Sequence, residues 1–349
     1  MRASIILVSH NGIDYLRACI DSVLQEVTLE DEIIGVDNAS RDGGADLVEA
    51  NWPQVRLFRN DRNLGFASAC NQGAGHAKGD ILVILNQDTR VEPGWLRGLL
   101  EPLEQDPTIG LVTSKLLLMS RPEQIQMCGQ DIHFTGFSFG RGLLTTSDGY
   151  RRVEKVGAVS GASFAIRRCL WEQLGGFDPN LFMYYEDTDL SWRARLAGFS
   201  SLFCPDSIAY HDYALTSSPT AHFYSERNRV VLLLKNWKIS TLILLLPSLV
   251  LAEIIAWGYM LSLGWKGVLA KISAWGWLIS NFSAVLRSRK GVQSFRKEPD
   301  WKLMETCVDH LQPRVHAGGW IGKGLIYLCN LWFGFHYRLI FSLMHSINL

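Results

Sequence analysis

The chain has 349 residues, 48% hydrophobic and 19% charged, which is enough apolar side chain for a large core and excludes intrinsic disorder. The formal net charge is zero, yet residues 1–226 carry 19 basic and 29 acidic side chains and residues 227–349 carry 15 and 5, so the two parts, at −10 and +10, face different surroundings. Seven scattered cysteines without a C-x-x-C pair exclude a disulfide framework and a zinc ribbon, and they fit a reducing compartment.

At the N-terminus only four strongly apolar residues, Ile5 to Val8, precede Ser9-His10-Asn11. That is too short for a signal-peptide core, so the folded part is expected in the cytoplasm. Short apolar runs then alternate with helical periodicity. The pattern predicts strand 4–8, helix 13–25, strand 32–37, helix 43–50, strand 55–59, helix 65–77, strand 80–85, helix 94–105 and strand 109–113. Leu16, Ile20, Val23 and Leu24 form one stripe of the first helix, and Pro93 is expected just inside the helix carrying Trp95, Leu96 and Leu99. Such alternation implies an α/β fold with βαβ units on a mostly parallel sheet and flanking helices. Open parallel sheets bind ligands beyond the carboxyl ends of their strands. The residues there are Ser9-His10-Asn11, Asp37-Asn38 and Asn86-Gln87-Asp88, a polar and acidic set suited to a nucleotide and a cation.

Residues 120–180 are Gly-richer and less periodic and read as an acceptor-side subdomain ending in the turn Gly175-Gly176-Phe177-Asp178-Pro179. A helix from Thr188 to about Ala197 and a strand from about Leu202 to His211 follow.

Four places can carry chemistry. Asp88, held at the sheet edge, can bridge a hard divalent cation to a diphosphate, although Asp88-Thr89 also suits a turn before Pro93. Asp37 can accept hydrogen bonds from a nucleobase imide or a ribose hydroxyl, or close an Asx turn. Glu186, Asp187 and Asp189 start a helix beside Tyr184, Tyr185 and Trp192; one of them can have a raised pKa and act as a general base. Helix capping and an Asp189–Arg193 pair compete with, and are compatible with, that role. His211 can ligate the same cation or serve as a structural hydrogen-bonder.

Together these positions resemble the family 2 glycosyltransferases of the inverting GT-A type, in the bacterial rhamnosyltransferase-like branch. The resemblance covers about residues 3 to 235. It rests on Val8-Ser9-His10-Asn11, Val36-Asp37-Asn38-Ala39-Ser40-Arg41-Asp42-Gly43, Asn63-Leu64-Gly65-Phe66-Ala67 with Asn71-Gln72-Gly73, Leu85-Asn86-Gln87-Asp88, Ser160-Gly161-Ala162, and Gly175-Gly176-Phe177-Asp178 through Phe182-Met183-Tyr184-Tyr185-Glu186-Asp187-Thr188-Asp189-Leu190. It implies a nucleotide-binding half (1–118) and an acceptor and catalytic half (119–235). It further implies Ser9, Asn11, Asp37, Asn63, Asn71, Asn86 and Gln87 around the donor nucleotide, and Asp88 and His211 on a divalent cation, Mg2+ or Mn2+. Asp187, with Glu186 beside it, would be the catalytic base, and Gly161, Tyr185 and Trp192 would lie on the acceptor side. Asn86 stands where the acidic D-x-D signature begins with Asp. No Q-x-x-R-W element of the processive synthases follows the Glu-Asp pair, so one sugar per encounter is expected. The implied partners are a nucleotide-diphosphate sugar, with deoxythymidine-diphosphate rhamnose favoured by the branch, and a lipid-linked saccharide. The competing reading, motivated by Asn86, is a nucleotide-sugar-binding scaffold without turnover.

Residues 236–349 read as a helical, membrane-associated region that holds eight of the twelve tryptophans. Leu242–Leu263 is long enough to span a bilayer, though Pro247 and Glu253 interrupt it; Val268–Leu286 and Trp320–Met344 are further apolar stretches. A single crossing would put Arg287, Arg289, Lys290, Arg296 and Lys297 outside the cell, against the positive-inside rule, so helices lying in the plane or re-entering are favoured over a hairpin. Nucleic acid is not the expected basic partner, because the basic residues are interleaved with long apolar runs.

Overall fold

The computed structural model describes residues 2–213, 218–312 and 319–349, with the side chains of 319–323, Trp320 and Lys323 among them, outside the described set. In chain order the elements are β1 (Ala3–Ser9), α1 (Ile13–Leu24), β2 (Glu32–Asp37), α2 (Gly44–Asn51), β3 (Val55–Arg59), α3 (Phe66–His76), β4 (Ile81–Asn86), β5 (Thr89–Val91), α4 (Trp95–Gln105), β6 (Ile109–Leu118), β7 (Arg121–Met127), β8 (Gln130–His133), β9 (Ser138–Gly140), β10 (Glu154–Lys155), β11 (Ser163–Arg167), α5 (Arg168–Leu174), α6 (Glu186–Leu196), β12 (Ser200–His211), α7 (Pro219–Asn236), α8 (Ile239–Ser262), α9 (Trp265–Ser280), α10 (Phe282–Phe295), α11 (Asp300–Met304), β13 (Cys307–Val308) and α12 (Gly319–Ser346). They form two compact units, one of residues 1–130, 140–194 and 199–215, the other of 131–139, 195–198 and 216–349.

The first unit is built on a sheet of order β10-β12-β6-β11-β4-β1-β2-β3, with β5 on β12 and β7 on β6. The strands β3, β2, β1 and β4 are parallel and the central ones are buried along nearly their whole length, which is why they read as unbroken apolar runs. Beyond β4 the expectation of a mostly parallel sheet fails. β11 runs antiparallel to both β4 and β6, and β7 folds back on β6, so the sheet is mixed. The reason is in the connections: a parallel return needs a crossover of a dozen or more residues, usually a helix. Between β6 and β11 no helix forms, so the chain returns by hairpins. Pro93 lies before α4 rather than inside it, because Gly94 at φ +89 resets the backbone and the helix starts at Trp95. The Trp95 indole donates to Ser163 Oγ (2.9 Å) and Ser114 Oγ (3.2 Å), pinning α4 to the sheet across a dry core.

In the second unit α7, most of which precedes residue 235, packs against α9 and α10. The apolar stretch Val268–Leu286 is two helices, since α9 ends at Ser280 and α10 begins at Phe282. α8 is long and apolar enough to cross a membrane by length and composition, with mean hydropathy 2.3. One of its faces, Thr241, Leu245, Ser248, Ala252, Ala256 and Met260, is buried within the unit. The polar groups on it are satisfied there. Thr241 donates to Asp300, Ser248 meets His336, and Glu253 pairs with Arg229 and with Lys271, which also pairs with Glu226. Two acids and two bases so close leave no net charge in the interior.

Candidate active site

Parallel pairing sets Ser9 opposite Asp37 and Val8 opposite Asn86, so the polar residues that end β1, β2 and β4 share one sheet edge. Asp37 is buried, and its carboxylate accepts from Ser9 Oγ (3.4 Å) and from the Ser40 N–H (3.2 Å). Asn11, at φ +49, accepts the Arg41 N–H on its side-chain oxygen (2.9 Å), and its own N–H reaches Ser40 Oγ (3.0 Å). The loops after β1 and β2 are therefore laced into one rim. Asn63 Oδ1 accepts from the Gly65 N–H and from Asn38 Nδ2, which holds the loop before α3 against that rim.

At the end of β12, His211 pairs with Thr89 of β5, and this register brings it beside Asp88. His211 Nε2 lies 3.2 Å from Asp88 Oδ1 and 3.5 Å from Asn86 Nδ2. Its Nδ1 meets Gln126 Oε1 at 2.9 Å; that oxygen only accepts, so Nδ1 carries a proton and Nε2 is the ring nitrogen turned toward the carboxylate. A carboxylate and an imidazole nitrogen so placed suit a cation between them. Asn86 Oδ1 is also buried without a hydrogen-bond partner. Among the described residues no group of three or more His, Cys, Asp or Glu could hold a metal. Asp88 and His211, with the Asn86 carboxamide beside them, are the residues that would hold a hard divalent cation, which would supply positive charge to a phosphate there.

The third component is the start of α6, where the three carboxylates have separate fates. Asp189 is buried and pairs with Arg193 at 2.8 Å, and Arg193 also donates to the carbonyls of Leu174 and Gly176, so this pair staples the helix to the preceding Gly-Gly turn. Asp187 accepts the Gly161 N–H (2.6 Å), Gln130 Nε2 (2.8 Å) and its neighbour's Thr188 N–H (2.7 Å). Burial pushes its pKa up from the ordinary aspartate value, and these donors oppose the rise. Glu186 is 7% exposed, and its Oε2 has no partner. Burial, and then the nearby Asp187 charge, push it up to about 8. Burial thus raises both neighbours, and the donors from Gly161, Gln130 and Thr188 favour charge on Asp187, whereas Glu186 Oε2 has no such donor among the described residues.

A stability prediction follows. The folded pKa of Glu186 lies above its ordinary 4.5, so its contribution is intact below that value and is lost as pH rises towards about 8. Glu186→Gln is expected to match wild type in thermal unfolding at pH 4 and to melt higher at pH 8; an equal difference at both pH values would contradict a buried neutral acid.

Gly161 also connects Asp187 to the end of β4, because the next residue, Ala162, accepts the Asn86 N–H on its carbonyl (3.0 Å). Asn71 is half-buried, and its carboxamide accepts the Phe177 N–H and donates to the Phe177 carbonyl (both 2.8 Å), tying α3 to the loop before α6. Gln87 likewise grips the His10 backbone, accepting at 3.0 Å and donating at 3.2 Å. Trp192 is fully buried, since α6 turns that face into the core. Tyr185 is half-buried at φ +69, whereas its neighbour Tyr184, at φ +65, is exposed. Gln126, Gln130 and Thr188 were not visible in the sequence as site residues. A glutamine in a weakly periodic stretch carries no motif, and only the folding of β7 and β8 brings these two to His211 and Asp187.

A family model described as glycosyl transferase family 2 matches residues 4–125, and one described as glycosyl transferase family group 2 matches residues 81–288. The N-acetylglucosaminyl-diphospho-decaprenol L-rhamnosyltransferase of Mycobacterium tuberculosis is 28% identical over 214 residues, covering 54% of this chain and 70% of its own length. Among solved structures, GalNAc-T7 with UDP, GalNAc and Mn2+ superposes with a TM-score of 0.57 at 24% identity, over 68% of this chain and 48% of its own. Staphylococcus aureus TarS 1-349 superposes with a TM-score of 0.55 at 13% identity, over 100% of this chain and 92% of its own. These two likenesses show a shared fold.

Proposed function

The chain belongs to the family 2 glycosyltransferases, and we propose that it moves one sugar, with inversion, from a nucleotide-diphosphate donor to a lipid-linked saccharide at the cytoplasmic face of a membrane. The observation that carries the reading is the Gly161-Ala162 segment, which bonds the Asp187 carboxylate on one side and Asn86 of the cation edge on the other. A base and a place for a leaving diphosphate are thus built on one rigid strand entrance.

Asp37 and Ser9 hold the nucleoside end of the donor. Asp88 and His211 would hold the divalent cation, with Asn86 alongside; when bound, the cation neutralises charge on the departing diphosphate. Asp187 takes the proton of the acceptor hydroxyl as that oxygen forms its bond to the anomeric carbon and the bond to the diphosphate oxygen breaks on the opposite face. Deoxythymidine-diphosphate rhamnose is the first donor to test and an N-acetylglucosaminyl-diphospho-polyprenol the first acceptor, in keeping with the mycobacterial relative's name. Surface-polysaccharide assembly is the process this chemistry serves.

The membrane surface as partner is supported by where apolar side chains are exposed. Of 28 exposed large hydrophobic residues among the described ones, 23 lie in 239–347. Exposed Lys266, Arg287, Lys290 and Lys297 add positive charge suited to anionic lipid.

The deciding experiment is a donor panel with nucleotide release as readout on the detergent-solubilised full chain. Release is expected with one nucleotide sugar, abolished by a chelator and by Asp88→Ala and restored to wild type alone by Mn2+ or Mg2+. Donor binding without transfer or hydrolysis across all donors, metals and acceptors would point to a scaffold.

A further inference from the structure

Gln130 lies on β8, 57 residues before the base, and is buried at 5% exposure. Its carboxamide contacts three polar groups, two of which only accept. Nε2 donates to the Val159 carbonyl (2.6 Å) and to Asp187 Oδ2 (2.8 Å), while Oε1 accepts from Thr188 Oγ1 (2.9 Å). Carbonyl and carboxylate only accept and the hydroxyl can donate, so a single orientation of the amide satisfies all three.

The two oxygens of Asp187 are consequently unequal. Oδ2 receives the Gly161 N–H and Gln130 Nε2, which occupy both of its lone-pair directions. Oδ1 receives the Thr188 N–H. The Thr188 hydroxyl lies 3.3 Å from Oδ1 but 2.9 Å from Gln130 Oε1, and its one proton goes to the nearer acceptor. One lone pair of Oδ1 stays open.

We propose that Gln130 is a positioning residue for Asp187, holding Oδ2 so that Oδ1 is the atom that takes the acceptor's proton. The proposal rests on Asp187 being the base. In the step, the proton leaves the acceptor oxygen for Oδ1 while that oxygen's electron pair forms the glycosidic bond and the diphosphate departs with the electrons of the broken bond. Gln130 exchanges no proton; it fixes the carboxylate plane and favours its ionised form.

The test is Gln130→Met, of similar length but without a donor, in the full-length detergent-solubilised enzyme, with deoxythymidine-diphosphate rhamnose and N-acetylglucosaminyl-diphospho-polyprenol as probes. A drop in kcat at neutral pH of about tenfold to a hundredfold is expected, the range for removing a residue that orients a reacting group. Donor KM should stay within about twofold. The acid limb of the kcat profile should move to higher pH, so that part of the loss is regained there. A rise in donor KM at unchanged kcat, or an equal loss at every pH, would overturn the proposal. A second measurement needs no substrate. Gln130→Met should destabilise the fold more at pH 8 than at pH 4, because the lost donor favours the charged form of Asp187, and this difference should vanish in the Asp187→Asn background; a loss independent of pH would again overturn it. The two readings fail separately. Full turnover by Asp187→Asn removes the base, whereas an inactive Asp187→Asn beside a Gln130→Met enzyme indistinguishable from wild type removes only the positioning role.

Discussion

Asp187→Asn is expected to lower kcat by about 10²- to 10⁴-fold, the range for removing a general base, while donor binding stays near wild type. The substitution is nearly isosteric, and the new amide oxygen can still accept from the Gly161 N–H or from Gln130 Nε2, so the local fold survives. What disappears is an oxygen able to bind a proton. The amide's NH2 must also face donors that previously met carboxylate, so a modest loss of thermal stability is expected alongside. Calorimetry with deoxythymidine-diphosphate rhamnose and single-turnover kinetics separate binding from chemistry. Tight donor binding with slow transfer supports the base. Equal losses of binding and turnover would assign Asp187 to the nucleotide instead.

The full chain is expected to remain with membranes in concentrated salt and to need detergent for release. The exposed residues Ile239, Ile243, Leu246, Val250 and Ile254 recur along α8 at intervals of three and four, one continuous stripe opposite the buried face. α9 exposes Trp265, Leu269, Ile272, Trp275 and Ile279 in the same rhythm. Embedding each such side chain is worth on the order of 1 kcal/mol after discounting the part already covered, so ten of them give roughly 10 kcal/mol, a term salt does not screen. The basic residues add about 1 kcal/mol each, which salt removes. Replacing Ile243, Val250 and Ile254 together by Asp is expected to shift the protein into the salt-washed soluble fraction, because more than half of each of these residues is exposed. Wild-type protein that is soluble after the wash and elutes as an oligomer without detergent would assign the stripe to self-association. A cut at residue 236 is a poor alternative probe, since α7 and residues 131–139 belong to the second unit.

The first sheet and its edge were legible in the sequence because local rules govern them. A parallel strand buried on both faces must be apolar throughout, and its end must be polar where the backbone leaves the sheet, so β1, β2 and β4 and the residues Ser9, Asp37 and Asn86 could be read in order. The acidic start of α6 and its Asp189–Arg193 pair were visible for the same reason, since helical spacing of four fixes that contact. Local pattern carries no information about partners far along the chain. Asp187 and Glu186 are adjacent and chemically alike, yet only Asp187 receives donors from Gly161 and Gln130, while burial raises Glu186. Asn71 and Gln87 have the composition of ligand-binding residues, and only the fold shows that backbone groups at Phe177 and His10 already occupy their amides. The antiparallel insertion of β11 and the outward apolar stripe of α8 likewise depend on which neighbour covers which face. That choice is made by packing between distant segments, and the sequence alone left it open.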